Sequence, residues 1–192
     1  MSPIPIYQLA LFVHILGAFG LVAAITLEAS AQWGLRRAAT AEEARARLAG
    51  MRVIQRLAPA SLGSILLTGL YMMAVAWGPK GWIVAAFAGL LMIGLIGGLV
   101  TGVRMARLGP AVGRASGPLS DELLGRLRDP ALVISLRTRA AIVLGILFLM
   151  TLKPSLLPSV VTLLVAGGIG LIAGQIPSTR RRSRHEYSSD AG

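Results

Sequence analysis

The amino-acid sequence predicts an all-α, polytopic transmembrane helical bundle, with five spans, its N-terminus outside and its C-terminus in the cytoplasm. Three observations carry this. Of 192 residues, 55% are hydrophobic and 14% are charged, and mean hydropathy is +0.72. Average soluble domains carry about 25% charged residues, so a chain this apolar needs lipid to cover its surface. The apolar residues fall in runs near spanning length, about 20 residues at 1.5 Å each. Finally, 17 of the 19 Lys and Arg residues fall in three clusters, Arg36 to Arg56, Arg104 to Arg139 and Arg180 to Arg184. Each cluster lies between or after apolar runs, as cytoplasmic loops do under the positive-inside rule.

The first span is expected at 4–27. Ala29-Ser30-Ala31 resembles a signal-peptidase site, but no Lys or Arg precedes the run and the run exceeds an ordinary signal core, so it is read as a retained span. Thr40 and Glu43 have capping-box spacing, which starts a helix leading into the second span at 53–77. Pro59 is expected to bend that span, with Ser61, Ser64 and Thr68 able to satisfy freed backbone groups. Gly78-Pro79-Lys80-Gly81 is a tight turn between Trp77 and Trp82, an interfacial aromatic pair. The third span follows at 82–103, then a long basic loop broken by Gly109-Pro110 and Gly117-Pro118. Ser120 is the expected N-cap of a short helix in that loop. The fourth span, 131–152, reaches spanning length only if Arg137 and Arg139 snorkel to the inner interface. The fifth is 156–176. Residues 1–178 form one membrane domain, and 179–192 are read as a disordered basic tail.

The seventeen arginines are thereby placed in the cytoplasm, and Lys80 and Lys153 outside. Lipid is the first partner, with anionic headgroups drawn to the basic loops and the Arg180 to Arg184 run. Nucleic acid is disfavoured, because aromatics are few and do not interleave with the arginines. The chain has no cysteine, which excludes disulfides, thiolate metal sites and thiol-attached haem. Its Arg, Ala, Gly and Leu bias points to a high-GC bacterial genome.

No catalytic motif is specific, so the residues point to binding or structure rather than to catalysis. His14 is the only histidine within a span, about 15 Å from the outer end by helical rise, where an ionisable group is a functional-site candidate by default. Its helix neighbours Ala10, Gly17 and Ala18 leave a notch for another helix or a flat ligand. Thr68 and Met92 fall at the same depth, which makes His14, Met92 and Thr68 the candidate ligand-binding set and His14 the candidate metal ligand. The bland alternative is an interhelical hydrogen bond. Glu28 is the acid of the first span, and Arg56 or Arg104 is expected to pair with it. Gly94, Gly98 and Gly102 form a small-residue stripe on the third span. Ala166, Gly170 and Gly174 form another on the fifth. Both are read as helix-packing surfaces, within the chain or in a homodimer.

Three segments resemble the CopD-like (copper-resistance-D-like) bacterial inner-membrane proteins. They are Leu11-Phe-Val-His14-Ile-Leu-Gly17-Ala18, Leu66-Leu-Thr68-Gly69-Leu-Tyr71 and Phe148-Leu-Met-Thr-Leu-Lys153-Pro154. The resemblance implies copper handling across the inner membrane, and more distant similar proteins bind haem and oxidise porphyrinogens. Ala18-Phe19-Gly20 stands where a glycine-tryptophan pair often follows the histidine, and the fifth span is an addition. The functions to be weighed are therefore a haem, metal or quinone-like ligand near His14, a structural or accessory membrane subunit, and a small transporter.

Overall fold

The computed structural model describes residues 4–176. The basic tail, with its Arg180 to Arg184 run, lies outside the described residues. The helices are α1 (Ile4–Leu35), α2 (Ala41–Met72), α3 (Gly81–Ile96), α4 (Val103–Arg114), α5 (Asp121–Leu127), α6 (Pro130–Leu152) and α7 (Leu156–Gln175). A π-helical turn, Met73–Trp77, extends α2, and a second, Gly97–Gly102, joins α3 to α4 without a break. Five helical stretches are long and apolar enough to cross a membrane: Ile6–Leu35, Ala41–Trp77, Gly81–Arg114, Asp121–Leu152 and Leu156–Gln175.

The stops and starts follow local chemistry. Thr40 accepts from the Glu43 amide at 3.3 Å, while Glu43 reaches back to the Ala39 amide at 2.8 Å. Asp129 caps α6 through the Ala131 amide at 2.9 Å, and Pro130 takes the first helical position, where its missing N–H is not needed. Lys153 closes α6 in the left-handed conformation, φ 50°. Its ammonium lies 4.4 Å from the Trp77 ring centre. That ring packs edge-on against Trp82 and its indole N–H donates to the Tyr7 hydroxyl at 3.1 Å. One end of the bundle is thus an aromatic belt.

The other end carries the arginines and the largest core cluster. Leu35, Ala41, Met51, Leu108, Leu123 and Leu132 pack there from α1, α2, α4, α5 and α6. The chain after α4 is tied in by backbone bonds from Ala41 to Gly117 and from Leu119 to Ala39. Gly117 takes φ +69°, a conformation that glycine adopts without strain. One expectation shifts here: residues 103–114 are helix rather than loop. The helix that carries the first span runs on to Leu35. The α4 face of Met105, Leu108 and Val112 is buried in this cluster, and that burial outweighs the helix-breaking tendency of Pro110.

Helices α1 and α2 pack along their length, as do α6 and α7. Helix α3 lies against α6 and α7 and touches α2 more sparsely. Leu9, Phe12, Phe19, Leu67, Leu99 and Leu164 are among many large apolar side chains left exposed. In water such a belt would drive aggregation, whereas lipid covers it without penalty.

Candidate functional site

Helix α1 carries Glu28 near its basic end, and α6 carries Arg139 one turn beyond Ser135. Both side chains point into the bundle. Glu28 is 4% exposed and Arg139 5%. They form an ion pair through Glu28 Oε1 and Arg139 Nη2. The pair is held from both sides. Gln32 Nε2 donates to Glu28 Oε1 at 2.9 Å. Arg139 Nε donates to the Ser135 carbonyl at 3.3 Å, and Nη2 donates to Thr101 Oγ1 at 3.2 Å. Thr101 Oγ1 and Ser135 Oγ share a hydrogen bond at 3.0 Å. Buried charges persist only when paired and hydrogen-bonded in this way.

The arrangement corrects three expectations. Glu28 pairs with neither Arg56 nor Arg104. Arg56 is exposed on α2, and Arg104 pairs with Asp129 at 2.7 Å, tying α4 to the α6 N-cap. Arg139 does not snorkel. It stands two residues from Arg137, and residues two apart on a helix cannot share a face. Arg137 instead donates to the Ala173 carbonyl at the end of α7.

A cavity of about 350 Å³ runs from this pair between α1, α2 and α3. Its walls are apolar, with Leu21, Ala24, Ile54, Leu62 and Ile93 among them, and Glu28, Thr101 and Arg139 form its polar end. Gln55, Pro59, Gly98 and Gly102 line it and are also exposed, so it opens sideways between α2 and α3. Of the stripe of Gly94, Gly98 and Gly102, Gly94 packs closely on α2, where a Cβ would stand 3.0 Å from Leu62 Cδ2, while Gly98 and Gly102 border the cavity. A Cβ at Gly98 would meet nothing within 4 Å, and one at Gly102 only the Gly97 carbonyl at 3.5 Å. The second stripe does lie in a seam. A Cβ at Gly170 would stand 2.5 Å from Thr138 Cα and one at Gly174 2.7 Å from Ile134 Cα, while Ala166 faces Gly145.

Two polar atoms of the pair remain unused among the described residues. Glu28 Oε2 accepts no hydrogen bond, and Arg139 Nη1 donates none. Nη1 lies 3.3 Å from where a Gly97 Cβ would be, and Gly97 lines the cavity. Both atoms are open to the cavity rather than sealed, since among the described residues the fully buried side-chain atoms without a partner are Gln32 Oε1 and Thr138 Oγ1.

His14 lies nearer the aromatic end. Its Nδ1 is 3.1 Å from Thr68 Oγ1. The Thr68 hydroxyl donates its one proton to the Ser64 carbonyl at 2.5 Å, so Nδ1–H is the donor to Thr68. The neutral ring then carries its lone pair on Nε2. Gly17 is buried against α2, where a Cβ would stand 2.3 Å from Ser64 Oγ. Ala10 is half-buried, but Ala18 faces outward, so the expected notch is narrower than the sequence suggests. Met92 does not face His14. It is 50% exposed on the face of α3 that also carries Leu91 and Leu95. Counting residues from the outer end fixes height but not direction, and Met92 has the right height on the wrong face.

The cavity beside His14 measures about 70 Å³, room for a few waters and too little for a haem or a quinone ring. Met72, Met73 and Met150 line it. Thioether and imidazole donors suit copper(I), so of the groups that the resemblance implies this is the one the residues fit. Among the described residues no group of three His, Cys, Asp or Glu side chains stands close enough to hold a metal.

Fold and site together define a multi-pass helical membrane protein with a buried charge pair at the end of a lipid-facing cavity. Comparison with protein-family models, curated proteins and solved structures finds no match to this chain.

Proposed function

We propose that the chain is a bacterial inner-membrane protein of the CopD-like type that binds a small lipid-like molecule in the cavity between α1, α2 and α3. The observation that carries this reading is an apolar chamber of about 350 Å³ that ends on a buried ion pair and opens sideways between two helices. Ligand sites have this character, mostly apolar with a few convergent polar groups. The basic end belongs in the cytoplasm by the positive-inside rule, which puts the cavity in the inner leaflet, among anionic headgroups attracted to the arginines. Protein purified in mild detergent should release a lipid-like species on extraction, detected by mass spectrometry and depleted in Gly98→Leu, which puts a side chain into the open space at the cavity mouth. Equal extracts from both proteins would refute the reading.

A second reading rests on the His14 tautomer. An imidazole with its Nε2 lone pair free, beside Met72, Met73 and Met150, supports copper(I) binding. Titration against a chromophoric copper(I) chelator tests it, with His14→Ala expected to lose the competing site. If neither ligand binds, the structural or accessory-subunit role stands, in which His14 only joins α1 to α2.

A further inference from the structure

The ligand's head is specified by the two atoms that the ion pair leaves unused. We infer that the cavity selects an uncharged, hydroxyl-headed lipid, such as a quinol or an isoprenoid alcohol, over an anionic one. This deepens the reading that the cavity binds a lipid-like molecule and rests on it.

The charge balance comes first. Glu28 and Arg139 neutralise each other, and the walls beyond them are apolar. A carboxylate or phosphate head would add a third, uncompensated charge in a place where even paired charges are costly to desolvate. A cationic head would face the same penalty. An uncharged head avoids it.

Hydrogen-bond direction comes second. Arg139 Nη1 offers only donors and Glu28 Oε2 only an acceptor. A ketone or ether head could accept from Nη1 and would leave Oε2 unsatisfied. A hydroxyl does both, accepting from Nη1 through its oxygen and donating its proton to Oε2. One hydroxyl thereby complements both atoms at the cavity end, which a ketone, an ether or an ionised acid cannot do. The tail lies along Gly94 of α3 and the glycines of the π-helical turn that follows, and the sideways opening past Pro59 and Gly98 lets it extend into lipid.

The test is equilibrium binding of four probes to the full chain in detergent: decyl-substituted quinol, geranylgeraniol, geranylgeranoic acid and decanoate. The two hydroxyl lipids should bind at least about tenfold more tightly than the acids at a pH where the acids are ionised. Whether the quinol, the alcohol or both bind identifies the source of the hydroxyl. Gly98→Leu should abolish binding of either, and thermal unfolding of that variant should match the parent protein, because the ion pair is untouched. Acids binding as tightly as the alcohols, and lost in Gly98→Leu, would overturn this inference and leave the ligand cavity standing. No probe binding, or binding unaffected by Gly98→Leu, would overturn the cavity reading itself.

Discussion

Replacing Arg139 by methionine leaves the Glu28 carboxylate inside the bundle with one donor, the Gln32 amide. Glu28 is 4% exposed and the cavity beside it is walled by apolar side chains, so little replaces the guanidinium. Breaking a buried pair from one side costs about 3–5 kcal/mol in soluble proteins. In lipid the unfolded reference state also finds partners, which favours the lower figure, about 3 kcal/mol. Glu28→Gln combined with Arg139→Met removes the stranded charge, and the double variant should lose less than about 2 kcal/mol, the loss of neutral hydrogen bonds. The cycle should therefore show a coupling of at least about 1 kcal/mol, before any cost of Glu28→Gln alone is added. Unfolding by SDS in mixed micelles, followed by helicity, gives these differences. Arg126→Met is the control, since its i,i+4 pair with Glu122 is exposed and worth about 0–1 kcal/mol. If Arg139→Met costs no more than Arg126→Met, or the cycle is additive, the pair does not organise the bundle.

Gly170→Ala places a methyl against the α6 backbone at Thr138 and should cost about 1–3 kcal/mol, whereas Gly167→Ala, with nothing within 4 Å, should cost nothing measurable in the same assay. Thr68→Val and His14→Ala should each lose about 0.6–1.7 kcal/mol and the pair together no more than one of them, and additive losses would show that the two side chains are not bonded. Reporter fusions after Lys80 and Lys153 should read as periplasmic, and fusions after Arg45 and Gly117 as cytoplasmic; a cytoplasmic signal at Lys153 would mean that α6 does not cross.

That five helices are long and apolar enough to span was legible because apolar run length is a one-dimensional property. The capping of α2 by Thr40 and of α5 by Ser120 was legible for the same reason, since the partners lie three residues away. Thr68 was found as the neighbour of His14 because depth and direction happen to agree on α2, while on α3 they disagree for Met92. The partner of Glu28 was missed because Arg139 was assigned to the cytoplasmic cluster. The available signal was its i,i+4 spacing from Ser135 on a helix otherwise apolar for two turns beyond. The cavity was not legible, since a glycine stripe looks the same whether a helix or a void faces it.

The Glu28–Arg139 pair also has a timing. Its members are 111 residues apart, and α6 is the fourth membrane segment to be made. At about 5–20 residues per second, roughly 6 to 22 s pass between the synthesis of the acid and that of its partner. Once Met72 completes α2, α1 and α2 can lie together with Glu28 uncompensated for the remainder of that interval. Arrival of α6 therefore converts a half-built, retractable hairpin into a committed bundle. Chains truncated before Arg139 should stay extractable or be cleared by membrane proteases, while chains truncated after α6 should persist, a difference that pulse–chase labelling resolves.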